Sequence, residues 1–192
     1  MQQADKKEAA NRYGAYTEMT IFLTTGESIM SYDLQQQAIQ LMLSTLPDKV
    51  LPLFGPPAQA ASVLRSCLQL EQSILLLQGQ QLAGLLGYYH HRRGFLNLPT
   101  SALSMPVAPQ QFYIEILCTA ANFRQRGIGS ILLQQAIHTA RQTGCTTMAL
   151  DVYQHNSTAI RLYRQNDFGI TSRQRARPPL QQYVFLRMEQ PV

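Results

Sequence analysis

Arg124-Gln125-Arg126-Gly127-Ile128-Gly129 is the stretch of this chain whose residue types and spacing could do chemistry. It falls between a run rich in strand formers, Gln111 to Thr119, and a run of helical spacing from Gly127 to Thr143. The first turn of a helix carries unpaired N–H groups and the positive end of the helix dipole. Gly127 and Gly129 remove side chains there, so a phosphate can come close to the main chain. Arg124 and Arg126 add positive charge beside it. The arrangement amounts to a cradle for a pyrophosphate. It is not a P-loop, because no Lys-Ser or Lys-Thr follows the second glycine, and it lacks the third glycine of the dinucleotide fingerprint. The same glycines would also ease an ordinary strand-to-helix turn, and the hexapeptide alone leaves both readings open.

Downstream stands Asn156-Ser157-Thr158-Ala159-Ile160-Arg161-Leu162-Tyr163, followed by Phe168. Together the two segments resemble the GCN5-related N-acetyltransferase family. Arg124, Gly127 and Gly129 match its cofactor motif, Arg/Gln-x-x-Gly-x-Gly/Ala. Asn156, Ala159, Leu162, Tyr163 and Phe168 match the motif that follows it, and Tyr113-Ile114-Glu115-Ile116-Leu117 looks like the strand that precedes it. The resemblance covers residues 111–170. It departs from the pattern at Asp167, where the family usually has Gly, and at Ala120-Ala121-Asn122, which lacks the common Val-x-Pro. Asp tolerates left-handed backbone better than most residues, so a local adjustment is expected at Asp167.

The resemblance implies one α/β domain, with a mixed, mostly antiparallel sheet splayed between two central parallel strands and flanked by helices. It implies acetyl-CoA as cosubstrate and no metal. The cofactor would lie where Gln111–Thr119 and Thr146–Val152 splay apart. The main chain of Leu117, Cys118 and Thr119 would pair with the pantetheine amides. The N–H groups of Gln125, Arg126, Gly127, Ile128, Gly129 and Ser130 would hold the pyrophosphate, with Arg124 beside them. Asn156, with Ala159 in the same motif, would meet the pantetheine arm from the other side.

Two side chains are candidates for proton transfer under this resemblance. Tyr163 is the candidate general acid, since a phenol of pKa about 10 can serve the departing CoA thiolate. The competing reading is a core aromatic on a helix. Glu115 is the candidate general base. An alkylamine with a pKa of about 10 is almost wholly protonated at neutral pH and must lose a proton before it attacks. A carboxylate in an apolar strand could be desolvated and raised toward neutrality. The competing reading is a Glu that only binds a cationic substrate or pairs with an Arg. Strand alternation places Glu115 and Leu117 on one face, Ile114 and Ile116 on the other.

The implied reaction is transfer of an acetyl group to a primary amine, of a small molecule or of a protein or peptide, by direct attack on the thioester. The alternative is a non-catalytic acyl-CoA-binding regulatory module. Cys118 beside the expected thioester raises a covalent route, which is not the family's usual one. His90-His91 without a third ligand is a poor metal signal. His138 reads as structural, and His155 falls near the expected cleft.

The surrounding elements must position these groups. Met19–Thr24 reads as a strand, Leu34–Leu46 as a helix closed by Pro47, and Ala58–Leu70 as a second helix. Ser73–Gln78 and Gln81–His90 read as a hairpin around Gly79, followed by a proline-containing loop over Gly94–Pro109 that is expected to help shape the acceptor site. Thr146–Val152 reads as a strand, Asn156–Gln165 as a short helix capped by Asn156 or Ser157, and Phe168–Arg177 and Gln181–Glu189 as two strands joined through Pro178-Pro179. Residues 1–16 read as a weakly ordered start and residues 17–192 as the acetyltransferase domain.

A chain of 192 residues with 45% hydrophobic and 14% charged residues suits one domain with a real core, and excludes collagen-like, coiled-coil and wholly disordered classes. Cys67, Cys118 and Cys145, an odd number without short spacing, argue against a disulfide framework or a cysteine metal cluster. No apolar signal region and no membrane-length run is legible, so a cytoplasmic location without membrane contact is expected. The net charge of +5 lies wholly in residues 97–192, which hold nine Arg and four acidic residues. Such a half suits an anionic partner. Arg173, Arg175 and Arg177 alternate, which fits a phosphate contact, an acidic substrate, RNA, or a charged edge strand. No RNA-stacking motif accompanies them, and nucleic acid is not expected as a partner. The oligomeric state is left open, a homodimer included.

Overall fold

Ser73–Gln78 and Gln81–His90 are almost continuously apolar. Strands of that kind need cover on both faces. The computed structural model, which describes residues 19–23, 32–45, 56–90, 93–96, 107–176 and 181–192, supplies it. In chain order the elements are β1 (Met19–Leu23), α1 (Tyr32–Thr45), α2 (Pro57–Cys67), β2 (Ser73–Gln78), β3 (Gln81–His90), β4 (Arg93–Gly94), β5 (Gln111–Thr119), α3 (Ile128–Gln142), β6 (Thr147–Tyr153), α4 (Ser157–Arg164), β7 (Gly169–Arg175) and β8 (Val184–Pro191). One eight-stranded sheet has the order β1-β2-β3-β5-β6-β8-β7, with β4 paired to β3. All neighbours are antiparallel except β5 and β6.

The period of two along β2 sorts its side chains into two cores. Ile74 and Leu76 join Leu86, Phe112 and Ile114 beneath α3, whose Ile128, Leu132, Leu133, Ala136 and Ala140 form the buried stripe. Leu75 and Leu77 join Leu85 and Cys118 beneath α1 and α2, which contribute Ile39, Met42 and Leu64. Gly79, at φ +59°, makes the β2–β3 turn.

The expected fold class is the one observed, and most element boundaries fall within two residues of expectation. Two features differ. The proline-containing loop was expected to begin at Gly94; instead residues 93–95 lie against β3, with the Phe95 N–H bonded to the Tyr88 carbonyl, and Leu96 bridges to Leu68. The second is a bulge. Along the β3–β5 ladder Gly87 pairs with Ile116 while Tyr88 pairs with Ile114, so Glu115 is the extra residue. A bulge shifts the facing of everything after it. Leu117 therefore joins Ile114 in the core under α3, and Ile116 joins Cys118 in the other. The simple alternation expected for residues 114–117 is corrected accordingly. The 1–16 segment, residues 17 and 18, His91, Arg177 and Pro178-Pro179 lie outside the described residues, as do residues 97–106 of the proline-containing loop.

Candidate active site

β5 and β6 run parallel through four pairs, ending at Ile114–Leu150. Beyond that pair the strands part. Residues Ile116 to Thr119 continue against β3 on one side and, among the described residues, have no strand on the other. The bulge at Glu115 lies at the point of divergence, where the added local twist would help to turn β5 away from β6. The result is a fork with an open main-chain edge along Leu117, Cys118 and Thr119. An extended ligand carrying amides could pair with such an edge.

Past the fork, a 3-10 turn at Ala121–Phe123 leads to the exposed run Arg124 to Gly127. Gln125 has φ +59° and Gly127 φ +77°, so the chain folds back on itself just before α3. No side chain caps α3. Its first intrahelical bond is from the Ile131 N–H to the Gly127 carbonyl. The N–H groups of Ile128, Gly129 and Ser130 have no acceptor among the described residues. An anion fits here on two grounds: free donors at a helix start and the exposed guanidinium groups of Arg124 and Arg126, the latter lying 5.7 Å from the Phe123 ring centroid.

The two glycines do different things. Gly127 permits the left-handed backbone. Gly129 permits close packing: a Cβ there would sit 2.8 Å from Leu162 Cδ2 of α4. Asn166 fastens the same junction, donating to Ser130 Oγ at 3.3 Å and to the Leu162 carbonyl at 2.9 Å.

α4 starts at Asn156, whose Oδ1 accepts from the Ala159 N–H at 3.1 Å. Asn156 is thus the cap, and its side-chain carbonyl is engaged there; its amide N–H groups are what a ligand could use. Tyr163, 8% exposed, packs edge-on to Phe168 with centroids 5.8 Å apart. Burial pushes its phenol well above the ordinary value, with a smaller contribution from Cys118. Among the described residues its hydroxyl has no hydrogen-bond partner. Asp167 is left-handed at φ +66°, as expected where the family has Gly.

Glu115 is half-buried. Its Oε2 accepts from the Leu96 N–H at 3.0 Å. Burial raises its carboxyl above the usual range, and the N–H groups of Leu96 and Phe95 pull it partly back. Cys118 is pushed up to about 12 by burial, against lowering by the Thr45 hydroxyl and Arg124. A thiol held neutral in that way is a poor nucleophile.

Sequence reasoning missed a polar group that joins β5, β6 and β8. Asp151 of β6 takes Arg187 Nε at 2.8 Å on Oδ1, and both Arg187 Nη2 and the Tyr113 hydroxyl at 2.9 Å on Oδ2. Asp151 and Arg187 face each other across β6 and β8. Their separation of 36 residues hides the pair from local pattern reading. Further along the same strands Tyr153, Tyr183 and Phe185 form an aromatic wall, with Tyr153 centroids 5.8 and 6.0 Å from the other two and 5.3 Å from His155. His90 is half-buried, its ring 6.3 Å from Phe112. His138 is exposed on α3, so a structural role there is not supported. Arg173 and Arg175 lie exposed on edge strand β7, and Arg173 bonds Gln154 Oε1 at 2.6 Å. Among the described residues no group of three or more His, Cys, Asp or Glu could hold a metal. No described helix is long and apolar enough to cross a membrane.

A mixed sheet opened between two parallel strands, with an uncapped helix start at the opening, defines the class of CoA-dependent acyltransferase folds. Residues 47–168 match the profile of the acetyltransferase (GNAT) family, and the chain belongs to that family. It is 41% identical over 70 residues to N-alpha-acetyltransferase 60 of Danio rerio, an alignment spanning 35% of this chain and 29% of that protein. It is 36% identical over 50 residues to the uncharacterised N-acetyltransferase YdgE of Bacillus subtilis, spanning 26% and 32%. Both alignments thus cover under a third of the relative. The fold matches that of Ard1 from Thermoplasma volcanium with a TM-score of 0.62 at 16% identity, over 92% of this chain and 99% of that one. It also matches a Bacillus subtilis acetyltransferase solved in complex with CoA, with a TM-score of 0.58 at 18% identity, over 91% and 99%.

Proposed function

We propose that this protein is an acetyl-CoA-dependent N-acetyltransferase that acts on a primary amine by direct attack. The observation that carries the reading is the fork: an open main-chain edge on β5 leading into free N–H donors at the start of α3. Leu117, Cys118 and Thr119 would hold the pantetheine arm through their main chain, with Asn156 and Ala159 opposite. Residues Gln125 to Ser130 would hold the pyrophosphate, flanked by Arg124. When bound, acetyl-CoA supplies an activated thioester.

Glu115 takes the proton of the incoming ammonium. Its raised carboxyl brings it nearer the pKa of the amine it must deprotonate, which narrows the uphill gap. Tyr163 donates its hydroxyl proton toward the departing sulfur. Its burial keeps it neutral, and hence a donor, at any working pH, and desolvation of the sulfur in the same site raises the thiol in step. Cys118 stays a neutral thiol, which favours direct attack over a covalent route.

For the acceptor, a peptide α-amine is the first choice. A relative of this chain is named as an N-alpha-acetyltransferase. An α-amine has a pKa of about 8 against about 10 for a lysine, so a carboxylate of moderately raised pKa suits it better. The test is acetyl-CoA consumption with a panel of short peptides bearing free α-amines, against the same peptides blocked at the N-terminus and against lysine-only and small alkylamine acceptors. Turnover confined to free α-amines is expected. Turnover with the blocked lysine peptides alone would reject the acceptor, and tight acetyl-CoA binding without turnover on any amine would favour a regulatory acyl-CoA-binding module.

A further inference from the structure

The core beneath α3 ties the two sides of the fork together on one face of the sheet, and a polar group ties them on the other. Tyr113 stands between Phe112 and Ile114 of that core, Asp151 between Leu150 and Val152, and Arg187 next to Met188. Strand alternation therefore turns all three to the opposite face. Tyr113 pairs with Ala149, one step before the last parallel pair Ile114–Leu150, and Asp151 is the first residue of β6 beyond that pair. The Tyr113 hydroxyl thus reaches past the end of the ladder and donates to Asp151 Oδ2 at 2.9 Å. From the other side Arg187, directly opposite Asp151 on β8, donates Nε to Oδ1 at 2.8 Å and Nη2 to Oδ2 at 2.9 Å. The guanidinium also lies 5.2 Å from the centroid of the Tyr113 ring. The group is dry: the Asp151 side chain is 4% exposed and that of Arg187 6%.

A buried ion pair is not in itself a device for stability, since an apolar pair of similar volume often does as well. Its location suggests a different use. Up to Ile114–Leu150 the main chains of β5 and β6 hold each other; beyond it β5 continues against β3, and β6 against β8. The hydroxyl bond crosses the sheet at the point where main-chain pairing stops. The planar, two-pronged grip of Arg187 fixes the orientation of the carboxylate, and with it the place where the hydroxyl must arrive. Resting on the acetyl-transfer reading above, we propose that Tyr113 is a positioning residue for acetyl-CoA: with Asp151 and Arg187 it clasps β5 to β6 at the last parallel pair, and so holds the fork at the opening that the cosubstrate enters.

Without the clasp the end of the ladder frays, and only part of the population presents the slot at its binding width. The affinity for acetyl-CoA then falls by the fraction that is competent. By linkage, bound acetyl-CoA must in turn restore the end of the ladder. Tyr113→Phe is the selective probe. It keeps the ring against the guanidinium, leaves both bonds between Arg187 and Asp151 in place, and removes only the hydroxyl that crosses from β5 to β6. A group that merely stabilises the fold would, on losing that hydroxyl, loosen the sheet as a whole and leave the affinity of the folded molecules for acetyl-CoA as it was.

Amide hydrogen exchange and calorimetric titration with acetyl-CoA, each on the unaltered protein and on Tyr113→Phe, test the proposal. Without ligand, exchange at the last pairs of the β5–β6 ladder is expected to quicken about tenfold, the worth of one hydrogen bond to a charged group, while the β2–β3 ladder changes little. A strand end opens readily, so a shift of that size makes the open form the major one and raises the dissociation constant of acetyl-CoA about threefold. Saturating acetyl-CoA should remove most of the difference in exchange. Equal quickening along β2–β3, or an unchanged dissociation constant, overturns the proposal. Should Tyr113→Phe not fold, Arg187→Lys, which keeps the charge and loses the two-pronged grip, is judged by the same two readings. An unaltered protein that binds no acetyl-CoA would reject the acetyl-transfer reading itself, whereas equal binding by both proteins rejects the clasp alone.

Discussion

Glu115 carries a cost to the fold beside the role proposed for it. Its carboxyl binds a proton more readily folded than unfolded, because burial disfavours the charge. The stabilisation that this brings is whole below the unfolded pKa of about 4.3 and is lost as pH rises through the higher folded value. At neutral pH the ionised Glu115 therefore burdens the fold. Glu115→Gln, which can still accept from Leu96, is expected to raise the melting temperature at pH 7 to 8, with the difference vanishing below pH 4, and to lower turnover about 10²- to 10⁴-fold. Parallel melting and rate profiles across pH check it; a variant less stable at pH 7 would show the carboxylate to be a structural ligand. Tyr163→Phe gives a second separation. The lost hydroxyl has no partner among the described residues, so stability should change by less than about 0.5 kcal/mol, while turnover falls about 10²-fold and acetyl-CoA affinity holds. At this scale two motifs single out candidate residues in the sequence, and Glu115 and Tyr163 stand out among them because their chemistry is unusual for their surroundings. Tyr113, Asp151 and Arg187 do not stand out. Each is an ordinary strand residue until the β5-β6-β8 order sets them side by side, and that order is a property of long-range pairing.

Element boundaries follow closely from hydrophobic period, and their junctions do not. Gly129 reads in the sequence as room for a phosphate, while in the fold it is room for Leu162. Gly129→Ala is thus expected to cost about 1–3 kcal/mol, the usual range for overpacking. It should cost distinctly less in a Leu162→Ala background, with a coupling of about 0.5–3 kcal/mol between the two sites. A double-mutant cycle by urea unfolding measures it, and strict additivity would show that the glycine serves the ligand alone. The bulge at Glu115 is a second junction invisible to pattern reading. An apolar strand with Ile and Leu on both faces looks the same with or without an extra residue, and only the partner register of β3 reveals it. That one residue places Glu115 at the strand divergence and turns its side chain toward Leu96.

On the scale of the whole molecule, the fork is where the sheet is weakest. Strands β1, β2, β3 and β5 lie on one side of it and β6, β8 and β7 on the other. The two groups share four backbone pairs between β5 and β6 and the core beneath α3, to which Ile74, Leu86, Met148 and Leu150 all belong. A ligand that occupies the opening adds backbone bonds to one half and phosphate contacts to the helix that bridges both. Such a ligand should stabilise the folded unit as a whole. At about 100 times its dissociation constant, acetyl-CoA is expected to add about 2.7 kcal/mol, or about 5–10 °C in melting temperature for a chain of this size. The shift should saturate, and it should shrink with added salt if Arg124 and Arg126 meet the phosphates from their exposed positions, as proposed. Hydrogen exchange should show protection gained along Leu117–Thr119 and at the start of α3. Thermal unfolding at rising acetyl-CoA concentration, repeated at two ionic strengths, is the direct check. No shift at millimolar acetyl-CoA would mean that the open edge and the uncapped helix do not act together as one site, and the acetyl-transfer reading would fall with it.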